Sequence, residues 1–167
     1  MAVIHYQFES IHPFYDGNGR TGRIINILYL VQKELLDIPI LYLSRYITKN
    51  KADYYKVLQS VRINNDWQNL ILYFLKGVEV TALETIDLIV DIKKLMQSYK
   101  KSLRTELPKI YSQDLLNNLF KNPYTKIEYL EKDLGVSYLT ARKYLDNITK
   151  IGLLEKTKKG KSNYYIN

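Results

Sequence analysis

The stretch His12-Pro-Phe-Tyr-Asp-Gly-Asn-Gly-Arg-Thr-Gly-Arg23 constrains this chain more than any other, because it runs directly into the apolar segment Ile24-Ile-Asn-Ile-Leu-Tyr-Leu-Val31. Gly17, Asn18 and Gly19 are the residue types that most readily take tight turns or positive φ, so the backbone is expected to bend sharply there. The apolar segment holds neither Gly nor Pro and is apolar on nearly every side, which reads as a buried helix starting near Asn18 to Arg20. A turn feeding a helix N-terminus leaves backbone N–H groups pointing outward at the positive end of the dipole, and so forms an anion site.

The flanking side chains sharpen that expectation. Arg20 and Arg23 lie one turn apart and project from the same face of the helix start. Cations in a first turn oppose the macrodipole, and an anion held between them removes the conflict. Asp16 offers a hard oxygen of the kind Mg²⁺ takes when it is also held by substrate phosphates. His12, one of two histidines, suits a base near neutral pH. Together these residues form a constellation for phosphoryl or nucleotidyl transfer. It is not a P-loop, since no Lys-Ser/Thr follows the glycines. The plainer alternative is a surface turn with a capped helix and scattered charges.

The pattern His-Pro-Phe-x-Asp-Gly-Asn-Gly-Arg-x-x-Arg resembles the signature of the Fic (filamentation induced by cAMP) family at every defining position. The similarity extends upstream through His5-Tyr-Gln-Phe-Glu-Ser-Ile-His12. Downstream it takes in Pro39-Ile-Leu-Tyr-Leu-Ser-Arg-Tyr-Ile47, the pair Tyr54-Tyr55, and Trp67 to Gly77. The resemblance implies a mainly α, Fic-type helical bundle that transfers AMP from ATP to a protein hydroxyl. By the same resemblance His12 takes the proton from that hydroxyl, Phe14 packs into the core and holds the loop, and Asp16 binds Mg²⁺. Gly17, Asn18 and Gly19 cradle the phosphates, and Arg20 and Arg23 neutralise them. The family places several helices and a β-hairpin flap before its signature, so those elements are expected to lie outside this sequence. The inhibitory pattern Ser/Thr-x-x-x-Glu-Gly/Asn, carried by many members, is not found in it.

Bulk properties agree with an intracellular protein that meets anions. The chain has 167 residues, a formal charge of +8 and no cysteine. That excludes disulfides and Cys/His zinc sites and suits an acidic partner such as nucleic acid or nucleotide. No signal peptide opens it and no apolar run reaches the ~20 residues of a membrane span, so a cytoplasmic location and no membrane partner are expected.

Taken in order, Met1 to Phe8 is expected to end a helix packed under the motif, with His5 a packed, hydrogen-bonded histidine. Residues 24 to 35 continue the motif helix. Helices are then expected from about Leu43, over Asn50 to Val61, over Asp66 to Leu75, and over Val78 to about Thr105, where Pro108 stops the chain from continuing as helix. Tyr54 and Tyr55 read as packing groups. The composition shift there sets the expected boundary between a first domain, 1–107, and a second, 108–167.

The second part changes character. Short helices are expected over Ser112 to Phe120 and Thr125 to Leu134, then a Gly135-Val136-Ser137 turn with Ser137 capping a helix of about Tyr138 to Ile151. Strands over Leu153 to Lys156 and Asn163 to Ile166 follow, joined by a Lys/Gly loop. This order, with Leu-Gly-Val-Ser-x-x-Thr-Ala-x-x-Tyr-Leu, resembles a winged helix-turn-helix domain with a small β-hairpin wing. The resemblance implies DNA contacts through Tyr138, Thr140, Arg142 and Lys143, and through Lys158, Lys159 and Lys161 of the loop. A solvated turn on a packing or dimerising domain is the plainer alternative. Three functions stay open: a Mg-ATP-dependent protein adenylyltransferase, a DNA-binding regulator whose Fic half senses nucleotide or is inactive, and an interaction domain that includes a homodimer among its partners.

Overall fold

The computed structural model describes residues 1–160 and 162–167 and is mainly helical. Its described residues form two compact units, Met1–Ile89 and Val90–Asn167. The first holds α1 (Ala2–Ile11), α2 (Asn18–Gln32), α3 (Leu43–Lys49), α4 (Lys51–Asn64) and the opening turns of α5 (Trp67–Glu106). Its core gathers Leu43, Ile47, Tyr54, Val61, Leu70 and Phe74.

Two sequence expectations change in this unit. The motif helix α2 is not buried all round. Its buried stripe is Asn18, Gly22, Asn26 and Leu30, whereas Ile24 and Leu28 stand 58% and 57% exposed. The i, i+4 spacing of that stripe makes one narrow seam, and small or polar residues fill it because α1 crosses there closely. A Cβ on Gly22 would run into Glu9 Oε1 and His5 Cε1.

The second change concerns the helices expected on either side of Gly77. They are one continuous helix, α5. Gly77 stays helical because α3 packs against it: a Cβ there would stand 2.8 Å from Tyr46 Cδ1 and 3.0 Å from Leu43 Cδ1. Tertiary packing overrides the modest helix penalty of glycine. The division between the two compact units falls within α5, where Tyr99 and Leu103 join the second core.

The second unit adds α6 (Gln113–Lys121), β1 (Tyr124–Thr125), α7 (Ile127–Leu134), α8 (Tyr138–Lys150), β2 (Glu155–Lys159) and β3 (Ser162–Ile166). The strands form an antiparallel sheet in the order β1-β3-β2, with Thr125 opposite Tyr165 and Lys156 opposite Tyr165 on the other side. Strand β1 replaces the first turn expected of α7. Ser112 caps α6 through a 3.0 Å bond accepted from Leu115 N–H, and Ser137 caps α8 by accepting from Thr140 N–H. Gly135 takes φ 65° between α7 and α8, a conformation that costs glycine little. Ala141, Leu145 and Ile148 of α8 close on Leu115, Leu119, Leu130 and Tyr165, all fully or almost fully buried. Lys158 and Lys159, expected in the loop, instead extend β2, which pairs through Lys159 with Ser162. Lys161 lies outside the described residues.

Candidate active site

The cleft is built where α1 ends and α2 begins. His12 is the C-cap of α1, in the left-handed region at φ 51°, with its N–H on the Phe8 carbonyl at 3.0 Å. That conformation turns the chain out of the helix. Gly17 takes φ 87° and is the N-cap of α2. Between them the loop is pinned by Asn18, whose amide accepts from Phe14 N–H at 3.0 Å and donates to Phe14 C=O at 2.6 Å. Asn18 is 2% exposed, so a polar side chain is spent on satisfying both backbone polar groups of Phe14.

Phe14 does not enter the core. It is 51% exposed with its ring 6.2 Å from that of Phe8, and Asn18 holds the loop in its place. A local amide pair fixes the turn through short hydrogen bonds and does not require the neighbouring ring to be enclosed.

His12, Tyr15, Asp16, Gly17, Asn18, Gly19, Arg20 and Arg23 together line one cleft of about 300 Å³. Every residue expected to act on the nucleotide is therefore on its wall; Tyr15, fully exposed, was not anticipated. The glycines leave room for the guanidinium groups. A Cβ on Gly19 would stand 3.2 Å from Arg23 Nη1, and one on Gly17 would stand 3.5 Å from Arg20 Nη2. Two cations thus lie back over the amide-rich start of α2, where the dipole is already positive. Asp16 and Arg20 form an exposed pair at 3.1 Å. An exposed pair of this kind adds little to stability and exchanges readily for another partner. Asp16 is a single accessible carboxylate, a donor that fits Mg²⁺ shared with phosphate and water oxygens.

Beneath the cleft a buried polar network ties three helices together. His5, with no exposed surface, brings Nε2 to 2.9 Å from the Tyr54 hydroxyl of α4 and Nδ1 to 3.1 Å from the Gly22 carbonyl and 3.0 Å from the Asn26 amide of α2. Burial lowers the proton affinity of His5 and keeps the ring neutral. Burial likewise pushes the Tyr54 phenol well above its ordinary value. The expectation of a packed, hydrogen-bonded His5 holds, and Tyr54 is its partner; Tyr55 is 56% exposed. Glu9, one turn before His12, was missed by sequence reasoning. Its signal was its place one turn after His5 on the same face of α1.

The residues expected to reach DNA lie in the second unit. Tyr138 is half exposed, Arg142 and Lys143 are exposed, and Thr140 is partly buried with its N–H on Ser137 Oγ. Arg142 Nε stands 3.6 Å from Asp146. Lys158 and Lys159 are exposed along β2. Lys156 is drawn inward to Asp146 at 2.7 Å, a pairing that raises its proton affinity. Among the described residues no cluster of three or more metal-ligating His or carboxylate side chains occurs. Nor is any described helix long and apolar enough to cross a membrane.

Comparison with known proteins places these features. Residues 1–30 match the Fic/DOC family, and residues 95–167 match the C-terminal domain of SoFic-like protein adenylyltransferases. A probable protein adenylyltransferase of Aquifex aeolicus is 46% identical over 46 residues, 28% of this chain and 14% of that protein. The protein adenylyltransferases fic-1 of Caenorhabditis briggsae and Caenorhabditis elegans are each 30% identical over 80 residues, 48% of this chain and 14% of theirs. The matched stretch thus spans about one seventh of each of these relatives.

Proposed function

This chain belongs to the Fic/DOC family and carries part of a Fic domain, and on that footing we propose that its cleft transfers AMP from ATP to a hydroxyl of a protein side chain. The observation that carries the reading is the gathering of His12, Asp16, the α2 N-terminus, Arg20 and Arg23 on one wall. His12 takes the proton from the target hydroxyl, and that oxygen bonds to the α-phosphorus. The bond from the α-phosphorus to the bridging oxygen breaks, and the electron pair leaves with pyrophosphate. Positive charge must be waiting where the leaving group gathers negative charge. The amides at the start of α2 and the guanidinium groups of Arg20 and Arg23 supply it. Arg20 exchanges Asp16 for phosphate when nucleotide enters, which frees the Asp16 carboxylate to hold Mg²⁺. The ion neutralises phosphate charge when bound. The relatives' names as protein adenylyltransferases support the same chemistry.

A second reading attaches to residues 108–167. We read them as a winged helix-turn-helix module, with β2 and β3 as the wing. The exposure of Tyr138, Arg142 and Lys143 on one helix and of Lys158 and Lys159 on the wing favours a nucleic-acid or acidic protein partner. In the alternative function this module is the working part, a DNA-binding regulator, and the Fic half senses nucleotide or is inactive.

The test is the purified chain incubated with cell extract, Mg²⁺ and ATP labelled in the α-phosphate. Labelled protein that disappears with His12→Ala is the expected result. ATP binding by calorimetry without transfer supports the sensor alternative.

A further inference from the structure

Glu9 is a titratable group under the cleft to which the mechanism above gives no role. It sits on α1 with His5 four residues before it on the same helix face, and with His12, the C-cap, three residues after it. Its Oε1 is buried and, among the described residues, finds no hydrogen-bond partner. The same atom fills the space that a side chain on Gly22 would need, so it lies against α2 at Gly22, beside the His5 ring and one residue before Arg23. A carboxylate oxygen buried without a partner is costly, and a neutral side chain would avoid that cost. Burial raises the proton affinity of Glu9 above that of an ordinary carboxyl, and the charges of His12 and Arg23 work against that rise by favouring the ionised form. Tyr54 of α4 faces it as a neutral phenol, and Lys56 and Arg62 of α4 share a groove with it on the outer side.

The geometry points to Glu9 as a positioning residue of the same reaction, the counter-charge against which the imidazolium formed at His12 and the guanidinium of Arg23 are held. The inference rests on the AMP-transfer reading. As His12 takes the hydroxyl proton, the imidazole gains a positive charge. A carboxylate one turn below it lowers the energy of that charged form. The same negative charge weakens the cleft for anions, so Glu9 trades affinity for rate.

That trade gives a signature that loss of packing does not. In Glu9→Gln the full chain is expected to bind pyrophosphate about threefold tighter at low salt, one fewer negative charge standing near the anion site. Transfer of AMP is expected to slow by at least about tenfold, within the range general acid–base contributions span. Isothermal calorimetry with pyrophosphate reads the first, and α-labelled ATP reads the second. Pyrophosphate affinity that is unchanged or weaker in Glu9→Gln, or transfer at the wild-type rate, overturns the inference. If Glu9→Gln does not fold, Glu9→Asp carries the test. It keeps the charge but withdraws it by one methylene, so unchanged pyrophosphate affinity with slowed transfer supports the role and unchanged transfer refutes it. Should wild-type protein transfer nothing, the AMP-transfer reading fails, while the pyrophosphate measurement still decides whether Glu9 charges the cleft.

Discussion

Replacing Tyr54 by phenylalanine removes one oxygen and leaves the surrounding packing in place. That oxygen stands 2.9 Å from Nε2 of His5, a ring with no exposed surface. A buried nitrogen left without its partner costs about 1–3 kcal/mol. The phenol's own desolvation is no longer incurred and offsets part of this, so a net loss of about 1–2 kcal/mol is expected. The affected unit spans Met1–Ile89, a size at which each kcal/mol moves the melting temperature by about 4–8 °C. Trp67, the sole tryptophan, sits in this unit with its ring 5.1 Å from that of Tyr6, so its fluorescence follows the unfolding of this unit. In urea the midpoint should fall by about 0.5–1 M at an ordinary slope. AMP transfer should weaken at temperatures near the new midpoint, because α1 carries His12 and α2 carries the arginines. A midpoint unchanged or raised in Tyr54→Phe would refute the claim that this network fixes the two helices.

Other outcomes follow from the same contacts. Burial holds the His5 proton affinity below the ordinary value of about 6.5, so the unfolded chain binds the proton first as pH falls. Stability is then fully present above about pH 6.5 and is lost below it, a slope that should vanish in His5→Asn when urea midpoints are compared across pH. Asn18→Ala leaves the Phe14 N–H and C=O without their side-chain partner and should loosen the loop, read as at least about tenfold weaker pyrophosphate binding, equivalent to about 1.4 kcal/mol. Gly77→Ala drives a methyl into the Tyr46 ring and should destabilise the first unit by about 1–3 kcal/mol despite alanine's better helix propensity, again read by Trp67 fluorescence.

What the sequence revealed and what it hid divide along physical lines. The turn at Gly17-Asn18-Gly19 and the start of α2 were legible because positive φ at Gly17 and a helix N-terminus are local requirements. The caps at Ser112 and Ser137 were legible for the same reason. Continuity of α5 through Gly77 was not, since the ring that demands the missing Cβ belongs to Tyr46 on another helix. Strand β1 was hidden too: two residues make a strand only because β3, from the end of the chain, pairs with them. In the cleft one mode of support was not legible. The loop relies on the Asn18 amide while Phe14 stays exposed, whereas the family resemblance points to the ring. Apolar Ile24 and Leu28 likewise suggested burial, but a helix buries only the stripe its neighbour covers.

The central claim is that the His12-to-Arg23 cleft moves AMP, and not another part of ATP, onto protein. The direct measurement offers wild-type protein and His12→Ala the same cell extract and Mg²⁺, with ATP labelled at the α-phosphate in one set and at the γ-phosphate in the other. Label on protein from the α-position only, absent with His12→Ala, is the predicted result. Label from the γ-position, or α-label that survives His12→Ala, would contradict it.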